Sequence, residues 1–230
     1  MMSNINLEIL YEDNHVIFVN KPFSVPVQQD KSNDLDLLNI SKNYIKDKYQ
    51  KPGNVFLGLV HRLDRQAGGV MVFAKTSKAA SRLSEQIRSR NVEKEYFVVV
   101  QGLLKEKEGT LENFLVKDKR RNVVKVVKES IDGSKYAKLD YKVVDEKVKN
   151  NMSVVSVDLK TGRFHQIRVQ FSNIGLPIFG DVKYGGDRNS SYNGICLWAR
   201  RLKILHPTRS EPIEIMAKVP DLKPWSDFDL

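Results

Sequence analysis

Leu59-Val60-His61-Arg62-Leu63-Asp64-Arg65-Gln66-Ala67-Gly68-Gly69-Val70 sets one acid between two arginines, with a histidine just before and a glycine pair just after. An apolar run over 70–74 follows directly. Flanking guanidiniums favour an ionised carboxylate when they point inward. The glycine pair lets the backbone turn sharply or approach a ligand closely. The same residues also fit a solvated salt-bridge cluster on a tight turn.

Working outward, strand-like runs cover 7–11, 16–20, 96–101, 110–116, 123–127, 136–144, 152–159, 195–199 and 212–218. Several alternate polar and apolar residues, as strands with one wet face do. The first two close around Glu12-Asp13-Asn14 as a hairpin. Helical signals are fewer. Asp34 is the expected cap of a helix with Leu37, Leu38, Tyr44, Ile45 and Tyr49 as its apolar positions. Ser77 is the expected cap of a second, with Ala80, Leu83 and Ile87 on one face. A third is expected over 164–173, stopped by Gly175 and Pro177. Strands in runs with inserted helices predict an α+β fold with a largely antiparallel sheet. No repeat or linker interrupts the chain, so residues 1–230 read as one catalytic-sized domain.

The 230 residues are 41% hydrophobic and 29% charged, enough for a sizeable core and against wholesale disorder. No apolar run approaches a membrane span. Met1-Met2-Ser3-Asn4 has neither the charge nor the apolar stretch of a secretory signal. Cys196 is the only cysteine, which excludes an internal disulfide and points to the reducing cytoplasm. With 38 Lys and Arg against 28 Asp and Glu, the formal charge is +10. That fits a basic soluble protein, or one whose partner is a polyanion such as nucleic acid. Phosphate-binding loops and the hydrolase elbow are absent. His15, His61, His165 and His206 lie at no metal-ligand spacing, so no metal site is expected.

Three further segments can carry chemistry. Lys160-Thr161-Gly162-Arg163-Phe164-His165-Gln166-Ile167-Arg168 is a turn opening a helix, with His165 and Arg168 on one helical face. It suits phosphate or carboxylate binding, or equally the polar side of an amphipathic helix. Glu93 to Gly102 is a strand in which Tyr96, Val98 and Val100 share a face. Tyr96 reads as a core tyrosine or as a stacking platform for a base. Lys117, Lys119, Arg120, Arg121, Lys125 and Lys128 are interrupted among charges only by Asp118. They form either a solvated edge or a track for phosphates.

Together these segments resemble the RluA-type family of RNA pseudouridine synthases. The resemblance lies in His61-Arg62-Leu63-Asp64 with the strand ending Ala74-Lys75, and in Lys94-Glu95-Tyr96. It continues in Thr161-Gly162-Arg163-Phe164-His165-Gln166-Ile167-Arg168 and Gly180-Asp181-x-x-Tyr184-Gly185. Leu197-Trp198-Ala199 through His206-Pro207-Thr208 and the opening Glu12 to Pro22 complete it, so it covers nearly the whole chain. Three positions depart from the pattern. Ala67-Gly68 stand where the family has Thr-Ser, and Trp198 where it often has His. The chain also begins almost at the catalytic opening, so no N-terminal RNA-binding module is expected.

The resemblance implies a mixed, mainly antiparallel sheet crossed by a basic cleft. It implies isomerisation of uridine to pseudouridine in structured RNA, ribosomal or transfer, by a monomer that needs no cofactor. It assigns Asp64 as the catalytic carboxylate, Arg168 as its basic partner and Tyr96 as the ring packed on the uracil. Arg62, Arg65, Arg163, His165, Lys119, Arg120 and Arg121 are the expected RNA contacts. The alternative is a non-catalytic RNA-binding or ribosome-assembly protein on the same fold.

Overall fold

The structure, a computed structural model, describes residues 7–188 and 193–230. Met1 to Asn4, read above, lie outside it. The chain divides into two compact units. The first takes the chain up to Val92 and then Ala199–Lys218; the second takes Glu93–Trp198 and Val219–Leu230. Neither unit is one continuous stretch.

The first unit holds β1 (Glu8–Glu12), β2 (Val16–Lys21), α1 (Leu37–Lys48), β3 (Gly58–Leu59), β4 (Gly68–Ala74) and α2 (Ser77–Arg88). The second holds β5 (Glu93–Gln101), β6 (Glu108–Asp118), β7 (Val123–Val127), β8 (Lys135–Lys147), β9 (Met152–Leu159) and α3 (Gln166–Asn173). β10 (Leu197–Leu205) runs into the first unit, where β11 (Pro212–Met216) pairs with it. Among the described residues the fold is α+β and mainly antiparallel, with eleven strands and three α-helices.

In the first unit the strand order is β1-β2-β4-β10. β1 and β2 form the expected antiparallel hairpin. β2 and β4 are antiparallel with Ile17 opposite Phe73 and Val19 opposite Met71. These four form one core with Leu37, Ile40 and Ile45 of α1. Their alternate neighbours are buried as well, which is why both strands read as nearly unbroken apolar runs. In the second unit the order is β5-β9-β8-β6-β7, every pair antiparallel, and Val169 of α3 packs on Leu115, Val124 and Ala137.

Four local expectations need correction. Asp36, not Asp34, caps α1: its carboxylate accepts from the Asn39 amide at 3.0 Å, while Asp34 is drawn to Arg65 and Ser32. Starting there turns Leu37 inward and leaves Leu35 exposed. Thr76, not Ser77, caps α2, so Ala79 rather than Ala80 is the buried residue of the first turn. α3 begins at Gln166, because His165 takes a left-handed backbone (φ 52°). His165 and Arg168 therefore do not share a helical face. β10 starts two residues later than expected and runs on through Arg200, Arg201 and Lys203. Leu202 and Ile204 alternate inward between those charges, and β11 supplies the ladder. No helix among the described residues is long and apolar enough to cross a membrane.

Candidate active site

In the first unit the Asp64 turn joins β3 to β4. The Ala67 amide donates to the Asp64 carbonyl at 3.1 Å, closing a turn over residues 64–67. Beneath it lies Lys21, the last residue of β2 and fully buried. Its Nζ donates to the carbonyls of Pro22 (3.0 Å), Arg65 (2.9 Å) and Ala67 (2.6 Å). Three acceptors match the three N–H groups of an ammonium. Burial lowers Lys21 to about 7, against the pull of the Asp64 charge, which raises it. A lysine is thus the pin that fixes the backbone carrying the acid. At Ala67 the carbonyl makes this contact, and that contact needs no side-chain hydroxyl.

Gly69 follows at φ +108°, opposite Lys21 in the ladder. A Cβ there would sit 2.3 Å from the Ala199 carbonyl oxygen, so only glycine lets these two backbones meet. His61 accepts from the Val72 amide through Nε2 at 3.0 Å, which ties the residues before Asp64 to β4. Asp64 is half-buried and Arg62 exposed. Arg65 donates to the Ser24 carbonyl (3.2 Å), Asp30 (3.1 Å) and Ser32 (2.9 Å), and pairs with Asp34. It anchors the loop that leads from β2 to α1.

In the second unit the residues of the Thr161–Arg168 motif divide the work. The Thr161 hydroxyl donates to Gln166 Oε1 (2.8 Å) and accepts from the Lys138 amide (2.9 Å). Gln166 Oε1 also accepts from the Arg163 amide at 3.0 Å, and Gln166 Nε2 donates to the Lys138 carbonyl at 3.1 Å. This stitches the loop to β8. Arg163 donates through Nε to the Tyr136 carbonyl at 2.9 Å. The His165 ring stacks on Phe164 with centroids 3.8 Å apart, and its Nδ1 is hydrogen-bonded to the Tyr184 hydroxyl at 2.8 Å. That hydroxyl also accepts from the Val124 amide of β7 at 2.8 Å.

Arg168 is almost wholly buried and holds Asp181 in a two-bond clamp, Nε to Oδ2 at 2.7 Å and Nη2 to Oδ1 at 2.8 Å. Its guanidinium carbon lies 5.1 Å from the centre of the Tyr184 ring. Tyr96, on β5 opposite Val157 of β9, is buried to 8% exposure. The basic residues 117–125 form the β6–β7 hairpin. Asp118, the acid among them, accepts from the Arg120 and Arg121 amides at 3.0 Å each and shapes the tip. The Arg121 amide is the main reason the Asp118 carboxyl is held below its ordinary value, with burial opposing it. Lys119, Arg120 and Arg121 are exposed, and among the described residues none has an ion-pair partner. Lys117 places its ammonium 3.8 Å above the Phe164 ring.

The structure therefore gathers Arg62, Asp64 and Arg65 in the first unit. It places Tyr96, Arg163, His165, Arg168 and the hairpin tip in the second. Sequence reasoning gave no role to Lys21, Asp181 or Tyr184. All three nevertheless stand in stretches that carry the family resemblance, Lys21 in the opening Glu12 to Pro22 and the other two in Gly180-Asp181-x-x-Tyr184-Gly185, and those motifs were the available signal.

A family model described as RNA pseudouridylate synthase matches residues 15–173. The RNA pseudouridine synthase YhcT of Bacillus subtilis (strain 168) is 32% identical over 219 residues, covering 94% of this chain and 70% of that protein. The ribosomal large subunit pseudouridine synthase D of Xylella fastidiosa (strain Temecula1) is 34% identical over 232 residues, covering 95% and 67%. The solved structure of human RNA pseudouridylate synthase domain containing 1 superposes with a TM-score of 0.76 at 26% identity, covering 94% of this chain and 84% of that one. With its fold, its motifs and its relatives in agreement over almost its full length, the chain belongs to the RluA-type family of RNA pseudouridine synthases, enzymes that isomerise uridine in RNA.

Proposed function

We propose that the chain converts specific uridines of structured ribosomal or transfer RNA to pseudouridine, with Asp64 as the essential carboxylate. The observation that carries this reading is the Asp64 turn itself. A half-buried acid stands on a backbone held by two Lys21 hydrogen bonds, with an exposed arginine beside it. In the reaction the ribose C1′–N1 bond breaks and a C1′–C5 bond forms. N1 gains a proton and C5 loses one, so the exchange balances without oxidant or reductant. A fixed carboxylate offsets the positive charge that builds on the ribose as C1′–N1 opens, and prior positioning makes that effect large. Tyr96 packs on the uracil and serves the proton at C5. Arg168, clamped by Asp181, is a rigid cation for the same centre.

The target base leaves its stack at a cost of a few kcal/mol. Arg62, Arg163 and the exposed Lys119, Arg120 and Arg121 hold the phosphates of the opened strand. Arg65 and His165 act indirectly, Arg65 by anchoring the loop after β2 and His165 by its hydrogen bond to Tyr184. The lone, buried Cys196 suits a reducing cytoplasm.

The test is pseudouridine mapping on unmodified ribosomal and transfer RNA, incubated with the parent and with Asp64→Ala. The parent is expected to create pseudouridine at defined positions. The variant is expected to create none while still binding the RNA. Residual turnover within tenfold of the parent would remove Asp64 from the mechanism.

A further inference from the structure

We propose that the first unit carries a second RNA-contact site, separate from the Asp64 turn: a pocket for one unpaired nucleotide of the substrate RNA. This rests on RNA being the substrate. The pocket encloses about 250 Å³ at the end of α1. Ile45 and Val55 line its apolar part, and Tyr49, Phe56, Lys51 and Lys75 line the rest. Tyr49 and Phe56 are 47% and 52% exposed, large apolar surfaces that the fold leaves uncovered. At this size the pocket falls just below the range for drug-sized ligands, so it takes a single base.

The charges around Tyr49 point to the ligand. Three ammonium groups approach its ring: Lys75 at 4.9 Å, Lys48 at 5.4 Å and Lys51 at 6.0 Å from the centroid. Glu12 is the carboxylate that binds two of them. It takes Lys75 at 2.6 Å and Lys48 at 2.7 Å, and accepts the Tyr49 and Tyr44 hydroxyls at 2.9 and 3.1 Å. Three cations against one carboxylate leave two charges uncompensated beside an exposed aromatic face. Lys48 lies in the last turn of α1, where the helix dipole favours a cation. Lys75 is held there by Glu12, while Lys51 has no ion-pair partner among the described residues.

Glu12 also fixes the Tyr49 ring and the Lys75 ammonium in place before any ligand arrives, which lowers the cost of binding. Thr76, on the pocket rim, caps α2 and opens the positive end of that helix beside the lysines. Aromatic faces that take a base and cations that take its phosphates are the elements of single-stranded nucleic-acid binding. A nucleoside monophosphate has the same chemistry whether free or within a chain, so the test must separate the two.

Binding of a fluorescent substrate RNA is measured by anisotropy for the parent, Phe56→Ala, Lys51→Ala and Lys105→Ala, the last an exposed lysine of the second unit. Pseudouridine formation is followed in parallel. Adenosine monophosphate binding to the parent and to Phe56→Ala is read by ligand-observed NMR. Phe56→Ala and Lys51→Ala are each expected to weaken RNA binding by about fivefold or more, the lower end for one base–aromatic stack. The kinetic loss should fall on KM, and Lys105→Ala should match the parent. Both side chains are exposed, so unchanged melting curves are expected. Parent-like RNA affinity in both pocket variants overturns the proposal, even where the parent makes pseudouridine normally. Adenosine monophosphate that binds the parent and not Phe56→Ala, with RNA affinity unmoved, overturns it in favour of a free nucleotide. A parent that makes no pseudouridine overturns the substrate reading of the previous section, and the affinity comparison still decides the pocket.

Discussion

Arg168 and Asp181 are buried together, 3% and 1% exposed, and this governs how Arg168 can be probed. Arg168→Ala strands a carboxylate in the interior, a change that typically costs about 3–5 kcal/mol, so lost activity would mix unfolding with chemistry. Arg168→Lys keeps the charge and loses the two-bond geometry. Its single-turnover rate is expected to fall at least tenfold while RNA affinity stays within about threefold. Lys21 gives a second residue-scale prediction. Lys21→Met leaves three carbonyls, that of Ala67 buried, without this donor and is expected to cost about 2–4 kcal/mol in chemical denaturation. The parent should also show a pH slope that the variant lacks. The unfolded lysine keeps its proton to about 10.5, whereas the folded one releases it near 7. Between those values the unfolded state binds more protons, so parent stability climbs with pH, by at most about 1.4 kcal/mol per unit. Asp64 was legible as a candidate from its arginines and glycines, which fit a salt-bridge cluster as well, and only the family resemblance gave it a role. Lys21 was not legible outside that resemblance, because a buried lysine under a turn leaves no local pattern.

At the scale of elements, most strands are legible because alternation survives any context, and the spans 123–127 and 152–159 agree to the residue. Helix starts are less legible, since two good capping residues stand side by side and tertiary contacts choose between them. Arg65 takes Asp34 and leaves Asp36 to cap α1. The left-handed His165 depends on its stack with Phe164 and its bond to Tyr184, neither of which helical spacing encodes. The junction before β4 gives the sharpest element-scale prediction. Gly69→Ala forces a Cβ into the Ala199 backbone at a φ that alanine avoids. It is expected to lose about 3 kcal/mol or more in urea unfolding, with turnover falling as the Asp64 turn shifts.

For the whole molecule, the +10 charge is legible at once, but its placement is not. Lys119, Arg120 and Arg121 are exposed at the hairpin tip, and among the described residues their side chains form no ion pair. Replacing all three by alanine is expected to lower the slope of log affinity against log salt by about two to three, since each phosphate contact releases a counterion. A slope equal to the parent's would remove the hairpin from the RNA contact. The division of the chain has a consequence for its birth. β4 is buried along its full length and lies between β2 and β10, yet β10 is encoded more than a hundred residues later. A ribosome adding 5–20 residues per second needs on the order of ten seconds to supply it. Throughout that interval the nascent chain carries an apolar strand with one open edge, the kind of surface that chaperones hold and that stray strands join.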